Sequence, residues 1–526
     1  MYKISLITCI SVLLKAFSAC HPAGMPAATQ PPAETATVTI HWNNEKQTIH
    51  SFGASDCWTA KFIGNWNDEQ KKNQVADYLF SMDTLEDGSP KGIGLSLWRF
   101  NIGAGSWEQG AASGIPDEWR REECFLDEAG TYDFNRQRGQ QWFLQAARQR
   151  GVPFTLGFSI APPVFWSKNG KAWNGTGTTG MNIRPEKMED YATFMATVAH
   201  HFQFDYLSPV NEPQWFWGKD HVSQEGTQAT NDEMALLTRH LSQQLSALQA
   251  KTKVVLGEAG TWTYLYGDNN DNRGDQIAQF FSPASSNYIA DLPNVARTIS
   301  GHSYFTTCPD DTMVNVRRRV AARVQAIDPS LETWQTEFGI LGNICNRYSG
   351  SPRNTGISYG LYVASVIHHD LTEANVSSWH WWLAMSPYNY SDALVYINDP
   401  AGAMNVNGCK EDGIVLDSRQ LWAMGNYSRF IRPGMKRVEV SVQAAKEDGS
   451  LLVSAYKDES RKQLVMVVVN PVNRTVQLSG KDWNITGTHL NAYTTNTNSN
   501  LKKSVIDKRN IQIPPVSVVT LTASYQ

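Results

Sequence analysis

Between residues 51 and 383 the chain repeats one alternation: a short, almost wholly apolar run, then a longer stretch with helical periodicity. The runs are 51–57, 95–102, 153–160, 204–211, 253–258, 298–304, 332–337 and 377–383. Strands apolar on both faces belong to a parallel sheet covered by helices, because a strand with one wet face alternates instead. The intervening segments carry helix-start signals. Thr230-Asn-Asp-Glu233 is a capping box ahead of Met234, Leu237, Leu241 and Leu245, and Pro185 takes a first-turn position ahead of Met188, Tyr191, Met195 and Val198. Eight such units predict an α/β fold, a (β/α)8 TIM barrel spanning 51–430. The competing arrangement, a doubly wound open sheet, normally carries a glycine-rich phosphate turn after its first strand, and none follows Phe52-Gly-Ala-Ser-Asp56.

After Pro433 the pattern becomes strand-like, with Val438–Val442, Leu451–Tyr456, Leu464–Asn470, Thr475–Leu478, His489–Tyr493 and Val516–Leu521 separated by Asp/Gly, Asn/Pro and Asn/Ser turns. This predicts an antiparallel β-sandwich over 431–526. Residues 38–50, beginning with the run around Thr39-Ile-His-Trp42, are expected to add N-terminal strands to it and so tie the two domains together.

The first twenty residues read as a signal peptide: Met1-Tyr-Lys3, an apolar run from Ile4 to Leu14, then Phe17-Ser-Ala-Cys20. The last of these resembles a bacterial lipoprotein box with Cys20 lipidated, and ordinary cleavage near Ala19 is the alternative. Residues 21–37 are Pro/Ala-rich and read as a tether. The expectation is an exported protein, an outer-membrane lipoprotein or a periplasmic one, touching membrane only through a lipid anchor. Lysine and arginine total 46 against 50 acidic residues without any basic block, which removes the electrostatic basis for a nucleic-acid partner. Cys57, Cys124, Cys308, Cys345 and Cys409 lack C-x-x-C spacing, so no metal site or other cofactor is expected, and their pairing stays open. A monomer is expected.

The chemistry is concentrated at two strand ends. Leu207-Ser-Pro-Val-Asn-Glu212 and Thr333-Trp-Gln-Thr-Glu337 each deliver a glutamate from an apolar run, where an unpaired charge is costly. They close the fourth and seventh candidate strands, which face each other across the mouth of an eight-stranded barrel, where such folds place their active sites. Two carboxylates flanking one sugar are what glycoside hydrolysis needs. Arg99, inside the run Leu95–Asn101, requires a buried carboxylate partner, and Glu337 is the candidate. Tyr304 is positioned to donate to Glu337. His302 is either a substrate contact or a structural histidine. Asn211 points away from Glu212 unless the strand end twists. Trp381, in Ser378-Trp-His-Trp-Trp382, offers a ring platform, and Asp56 and Glu258 fall near strand ends as substrate contacts or supporting groups.

Val210-Asn-Glu-Pro213 and Thr336-Glu-Phe-Gly339, with Arg99, Tyr304 and the Trp-Trp-Leu-Ala384 end of strand 8, resemble clan A retaining glycosidases. With Ile49–Ala54, Ala161-Pro-Pro-Val-Phe-Trp166-Ser-Lys-Asn-Gly170 and the trailing β-domain, the chain is similar to glycoside hydrolase family 30 over residues 38–526. The resemblance implies Glu212 as acid/base and Glu337 as nucleophile, with Arg99, Asn211, Tyr304 and Trp381 carried over at their matching positions; His302 and Trp166 stand beside them as candidate substrate or supporting contacts. Within the family, Pro162-Pro163, Lys168-Asn-Gly170, Ser208–Trp215 and Gln224-Glu-Gly226 look most like the endo-β-1,6-galactanase group. Ile160-Ala161 and Phe165-Trp166 depart from that group's pattern, so β-1,6-glucanase, β-glucosidase and β-fucosidase activities stay open. So does a carbohydrate-binding lipoprotein without chemistry.

Overall fold

The structure is a computed structural model and describes residues 34–177, 179–268, 271–444 and 451–526. The signal segment, Cys20 and tether residues up to 33 lie outside the described residues.

Eight strands close into a parallel barrel: β1 (Ser51–Ser55), β2 (Leu97–Ile102), β3 (Phe154–Ser159), β4 (Tyr206–Ser208), β5 (Lys253–Ala259), β6 (Val295–His302), β7 (Glu332–Glu337) and β8 (Val376–Ser386). Each pairs with the next, and β8 pairs with both β7 and β1, so no barrel edge is left open. The barrel read from the sequence is therefore the fold. β4 is shorter than the run 204–211 suggested. Pro209 has no N–H to give to the ladder, and pairing stops at Ser208. Two strands that sequence did not separate, Ala393–Asn398 and Ile414–Leu416, extend the sheet beyond β8.

The strands' period of two builds the interior in layers. Leu97, Leu156, Val255 and Trp334 form one packed layer inside the barrel. Arg99 stands two residues above Leu97, at the next level toward the C-terminal mouth, with its guanidinium 3.6 Å from the centre of the Phe158 ring. Outside, helices such as Met188–Phe202, Asn231–Ala247 and Asp310–Ile327 bury one face each against the strands. The capping box is formed: Glu233 N–H donates to Thr230 Oγ1 at 3.2 Å and Thr230 N–H donates to Glu233 Oε2 at 2.8 Å.

The side domain is a nine-stranded sheet that shares one core including Val38, Met466, Leu478, Ile513 and Leu521. Its ladder is continuous and curls over, so that Ile485, beyond one strand, bridges to Tyr525 at the end of another. The N-terminal strand Glu34–Thr48 lies inside this sheet, third from one end of its order, antiparallel to Lys436–Ala444 and parallel to Val476–Lys481. The sheet is thus antiparallel-rich with one parallel pair. Residues 34–37, assigned to the tether from composition, are already part of that strand. The sheet packs on the outer helices; Asn426 of the helix Arg419–Ser428 donates to Tyr493 O at 3.0 Å and Thr520 Oγ1 at 2.9 Å.

Candidate active site

The backbone at the ends of β4 and β5 explains how the acids reach the mouth. Glu212 and Glu258 both adopt left-handed conformations, each with φ of 46°. Such a residue breaks strand alternation. The consequence is that Asn211 and Glu212, neighbours that a regular strand would point apart, both line the same cavity. Glu212 N–H donates to Glu258 O at 3.0 Å, locking the two strand ends together.

Around this point the structure gathers residues from five strand ends. Arg99 Nη1 donates to Glu337 Oε2 at 2.8 Å, and Nη2 donates to Asn211 Oδ1 at 2.8 Å and Glu258 Oε2 at 2.6 Å. His302 places Nδ1 2.8 Å from Glu212 Oε1 and Nε2 3.3 Å from Glu258 Oε2. Tyr304 O–H donates to Glu337 Oε1 at 3.1 Å. Ser300 Oγ lies 3.1 Å from the other Glu258 oxygen. Glu212 and Glu337 bring carboxylate oxygens within 4.8 Å of each other. Both border a cavity of about 480 Å³, walled also by Trp215, Trp217, Phe305, Leu341, Ile344 and Trp382.

Burial raises the Glu212 carboxyl above its ordinary range, against the lowering pull of the His302 hydrogen bond and charge. Glu258 goes the other way. Burial penalises its charge, but Arg99 and His302 outweigh that and bring it down to about 2. Burial likewise opposes a charged His302, yet Glu337, Glu212 and Glu258 together push the imidazole up to about 10. At neutral pH His302 is therefore an imidazolium donating to two glutamates. Burial and the nearby Glu337 and Glu212 charges push the Tyr304 phenol well up, so it keeps the proton it donates.

Glu212, His302 and Glu337 lie close enough to share a cation. Their atoms are instead engaged with one another and with Arg99 and Tyr304, and the guanidinium and imidazolium already supply the positive charge a metal would bring.

Three of the residues singled out from sequence fall elsewhere. Trp381 is fully buried, with its Nε1 donating to Asp392 O at 2.7 Å and its ring against Phe338 and Trp379. Its neighbour Trp382, on the other face of β8, is the one that lines the cavity, edge-on to Trp58. Trp166 is half-buried against Phe165 and Phe194 and does not border the cavity. Asp56 is buried, accepts from Asn101 N–H at 2.9 Å, and is pushed well up by burial; it too is absent from the cavity wall. Glu258 is a hub of the network rather than a cavity-facing contact. The aromatic wall from Trp215, Trp217 and Phe305 was not read from sequence, although Trp215 lies three residues past Glu212 and Phe305 directly follows Tyr304.

Among the described residues one disulfide, Cys308–Cys345, joins the loops after β6 and β7 and forms part of the cavity wall. Cys57, Cys124 and Cys409 are free and buried.

The family model described as O-glycosyl hydrolase family 30 matches residues 35–396. Among solved structures, a conserved exported protein from Bacteroides fragilis is 32% identical, with a TM-score of 0.85 over 92% of this chain and 100% of that one. The catalytic domain of a family 30 xylanase C from Talaromyces cellulolyticus is 21% identical, with a TM-score of 0.64 over 93% of this chain and all of that one. An endo-β-1,6-glucanase is 14% identical, with a TM-score of 0.63 over 93% and 94%. The last two share the fold. The match to the family model covers well over half of the chain, and with it the resemblance seen at Glu212 and Glu337 becomes membership: this protein belongs to O-glycosyl hydrolase family 30, a family of O-glycosidases.

Proposed function

We propose that the protein is a retaining β-glycosidase in which Glu337 is the nucleophile and Glu212 the acid/base, acting on β-1,6-linked galactan in endo fashion. The observation that carries the mechanism is the approach of the two carboxylates, one oxygen of each lying within 4.8 Å of the other across one cavity. Retaining enzymes hold the pair about 5–5.5 Å apart, whereas inverting enzymes need about 6.5–9.5 Å to admit a water between acid and base. In the first step a Glu337 oxygen attacks the anomeric carbon while Glu212 gives its proton to the departing glycosidic oxygen. In the second, Glu212 takes a proton from water, whose oxygen attacks the same carbon and frees Glu337.

The surrounding charges suit both states. With Glu212 protonated, Glu337 and Glu258 balance Arg99 and His302. When the glycosyl ester forms, Glu337 loses its charge and Glu212 acquires one, so the buried cluster stays neutral. Tyr304 and Arg99 aim Glu337 from two sides.

The galactan assignment rests on the Pro162-Pro163, Lys168-Asn-Gly170 and Ser208–Trp215 segments. The endo-β-1,6-glucanase among the similar structures makes β-1,6-glucan the second substrate to test. Export as a lipoprotein through Cys20 fits the N-terminal sequence and the exported protein from Bacteroides fragilis.

Product analysis on β-1,6-galactan, β-1,6-glucan, β-xylan and aryl β-glycosides decides substrate and mode of attack. The expected product retains the β-configuration, and a 2-deoxy-2-fluoro glycoside of the sugar cleaved labels Glu337. Inverted product, or full activity in Glu337→Gln, overturns the assignment.

A further inference from the structure

Phe305 is the most exposed large apolar side chain among the described residues, at 80%. It also has φ of 61°, a left-handed conformation that bulky side chains rarely adopt. Both features work against stability, and strained residues of this kind gather at ligand clamps. Phe305 sits at the mouth, one residue past Tyr304, and borders the cavity together with Trp215. The two rings stand 6.0 Å apart at 87°, an edge-to-face arrangement that leaves ring surface uncovered.

Trp215 is built into place. Its backbone N–H donates to Glu212 O at 3.3 Å, so the turn that carries the indole is tied to the acid's own backbone. A Cβ at Gly260 would lie 2.2 Å from Trp215 Nε1, so only glycine there lets the indole rest on the end of β5. Tyr264 meets its other side edge-on at 6.0 Å.

We infer that Trp215 and Phe305 form the leaving-group subsite, taking a pyranose by the apolar C–H face of its ring. This rests on the glycosidase reading of the site. Glu212 must contact the glycosidic oxygen, so the ring beyond that oxygen lies in the part of the cavity that Trp215 and Phe305 border with Glu212. The same shelf receives an acceptor sugar when the glycosyl intermediate is intercepted. The acceptor's hydroxyl oxygen then attacks the anomeric carbon, its proton passes to Glu212, and the ester bond to Glu337 breaks to return the carboxylate. No further reactant is needed.

Hydrolysis and transfer share one intermediate, so their ratio isolates what happens on the leaving-group side. The experiment measures that ratio for the full enzyme with a p-nitrophenyl β-glycoside of the sugar it cleaves as donor. β-1,6-Linked galacto- or gluco-oligosaccharides serve as acceptor. Phe305→Gly removes the ring and also relieves the left-handed strain, so its thermal midpoint is expected not to fall. Its transfer-to-hydrolysis ratio, and its kcat/KM on the oligosaccharide relative to the aryl donor, are each expected to drop about tenfold. Phe305→Trp is expected to keep the wild-type ratio. An unchanged ratio in Phe305→Gly overturns the subsite while leaving the glycosidase reading intact, as does a parallel loss of both routes with a lowered midpoint. A wild-type enzyme that cleaves nothing in the panel and takes no label at Glu337 overturns the glycosidase reading first, and the subsite with it.

Discussion

His302 Nδ1 lies 2.8 Å from Glu212 Oε1, and the same ring reaches Glu258 on its other side. The histidine is therefore a charged bridge between the proposed acid/base, whose carboxyl burial raises, and a carboxylate that stays ionised. Its hydrogen bond and charge lower Glu212, while burial, the larger influence, raises it. Replacing the ring by an uncharged amide that still donates, His302→Gln, removes the lowering charge. The Glu212 carboxyl should then rise further and remain protonated to higher pH. The alkaline limb of the kcat/KM profile on an unactivated glycan is expected to move upward in pH. A downward shift would mean that His302 does not act on Glu212 through its charge.

Arg99 and Glu258 make the shortest of the guanidinium's contacts, 2.6 Å, with both groups almost completely out of water. Glu258 has its folded value lowered from 4.5 to about 2, so its contribution to stability is full above about pH 4.5 and is lost as pH falls through 2. Glu258→Gln leaves a cation buried with one fewer counter-charge and is expected to destabilise by about 3 kcal/mol at pH 7. Urea unfolding of both proteins at pH 7 and pH 3 checks this. The gap between them should narrow at the lower pH, and a gap independent of pH would refute the ion-pair origin.

The barrel was legible because its signal is carried by eight separate runs and by helix caps that depend only on local sequence. The positions of Glu212, Glu337, Arg99, His302 and Tyr304 at one mouth followed from strand ends alone. What sequence concealed was the direction of side chains where strands stop being regular. The left-handed residues at 212 and 258 bring Asn211 beside Glu212 and turn Glu258 into the network, and nothing local announces a positive φ at a glutamate. In Trp379-His-Trp-Trp382 alternation gives two faces but does not say which one looks into the barrel. Loop aromatics were hidden for a related reason. Trp215 owes its seat to Gly260, 45 residues away in a different βα unit.

Trp381 and Trp382 separate a core role from a cavity role in adjacent residues. Trp381 has no exposed surface and spends its N–H on Asp392 O. Trp381→Ala is expected to cost about 3–5 kcal/mol of stability. Trp382, 5% exposed and on the cavity wall, should behave differently. Trp382→Phe is expected to lower kcat/KM by about tenfold with a smaller loss of stability. Thermal melts paired with kinetics distinguish the two, and similar profiles for both variants would contradict the assignment of faces.

The Cys308–Cys345 bridge offers a test of how firmly the cavity wall must be held. It joins residues 37 apart in sequence, tying the loop after β6, which carries Phe305, to the loop after β7, which carries Leu341 and Ile344. Closing a loop of that length restricts the unfolded chain by up to about 4 kcal/mol in the chain-entropy account. The double variant Cys308→Ser, Cys345→Ser is expected to melt at a lower temperature. The Glu212 and Glu337 carboxylates, the proposed catalytic pair, are held by Arg99, His302 and Tyr304, none of which depends on the bridge for its hydrogen bonds. Loosening this wall should therefore raise KM for an oligosaccharide more than it lowers kcat. Mild reduction of the wild-type enzyme should reproduce the change, and the same treatment should leave the double variant's kinetics as they were. If kcat collapses while KM holds, the two loops are required for the chemistry and the wall does more than confine the substrate.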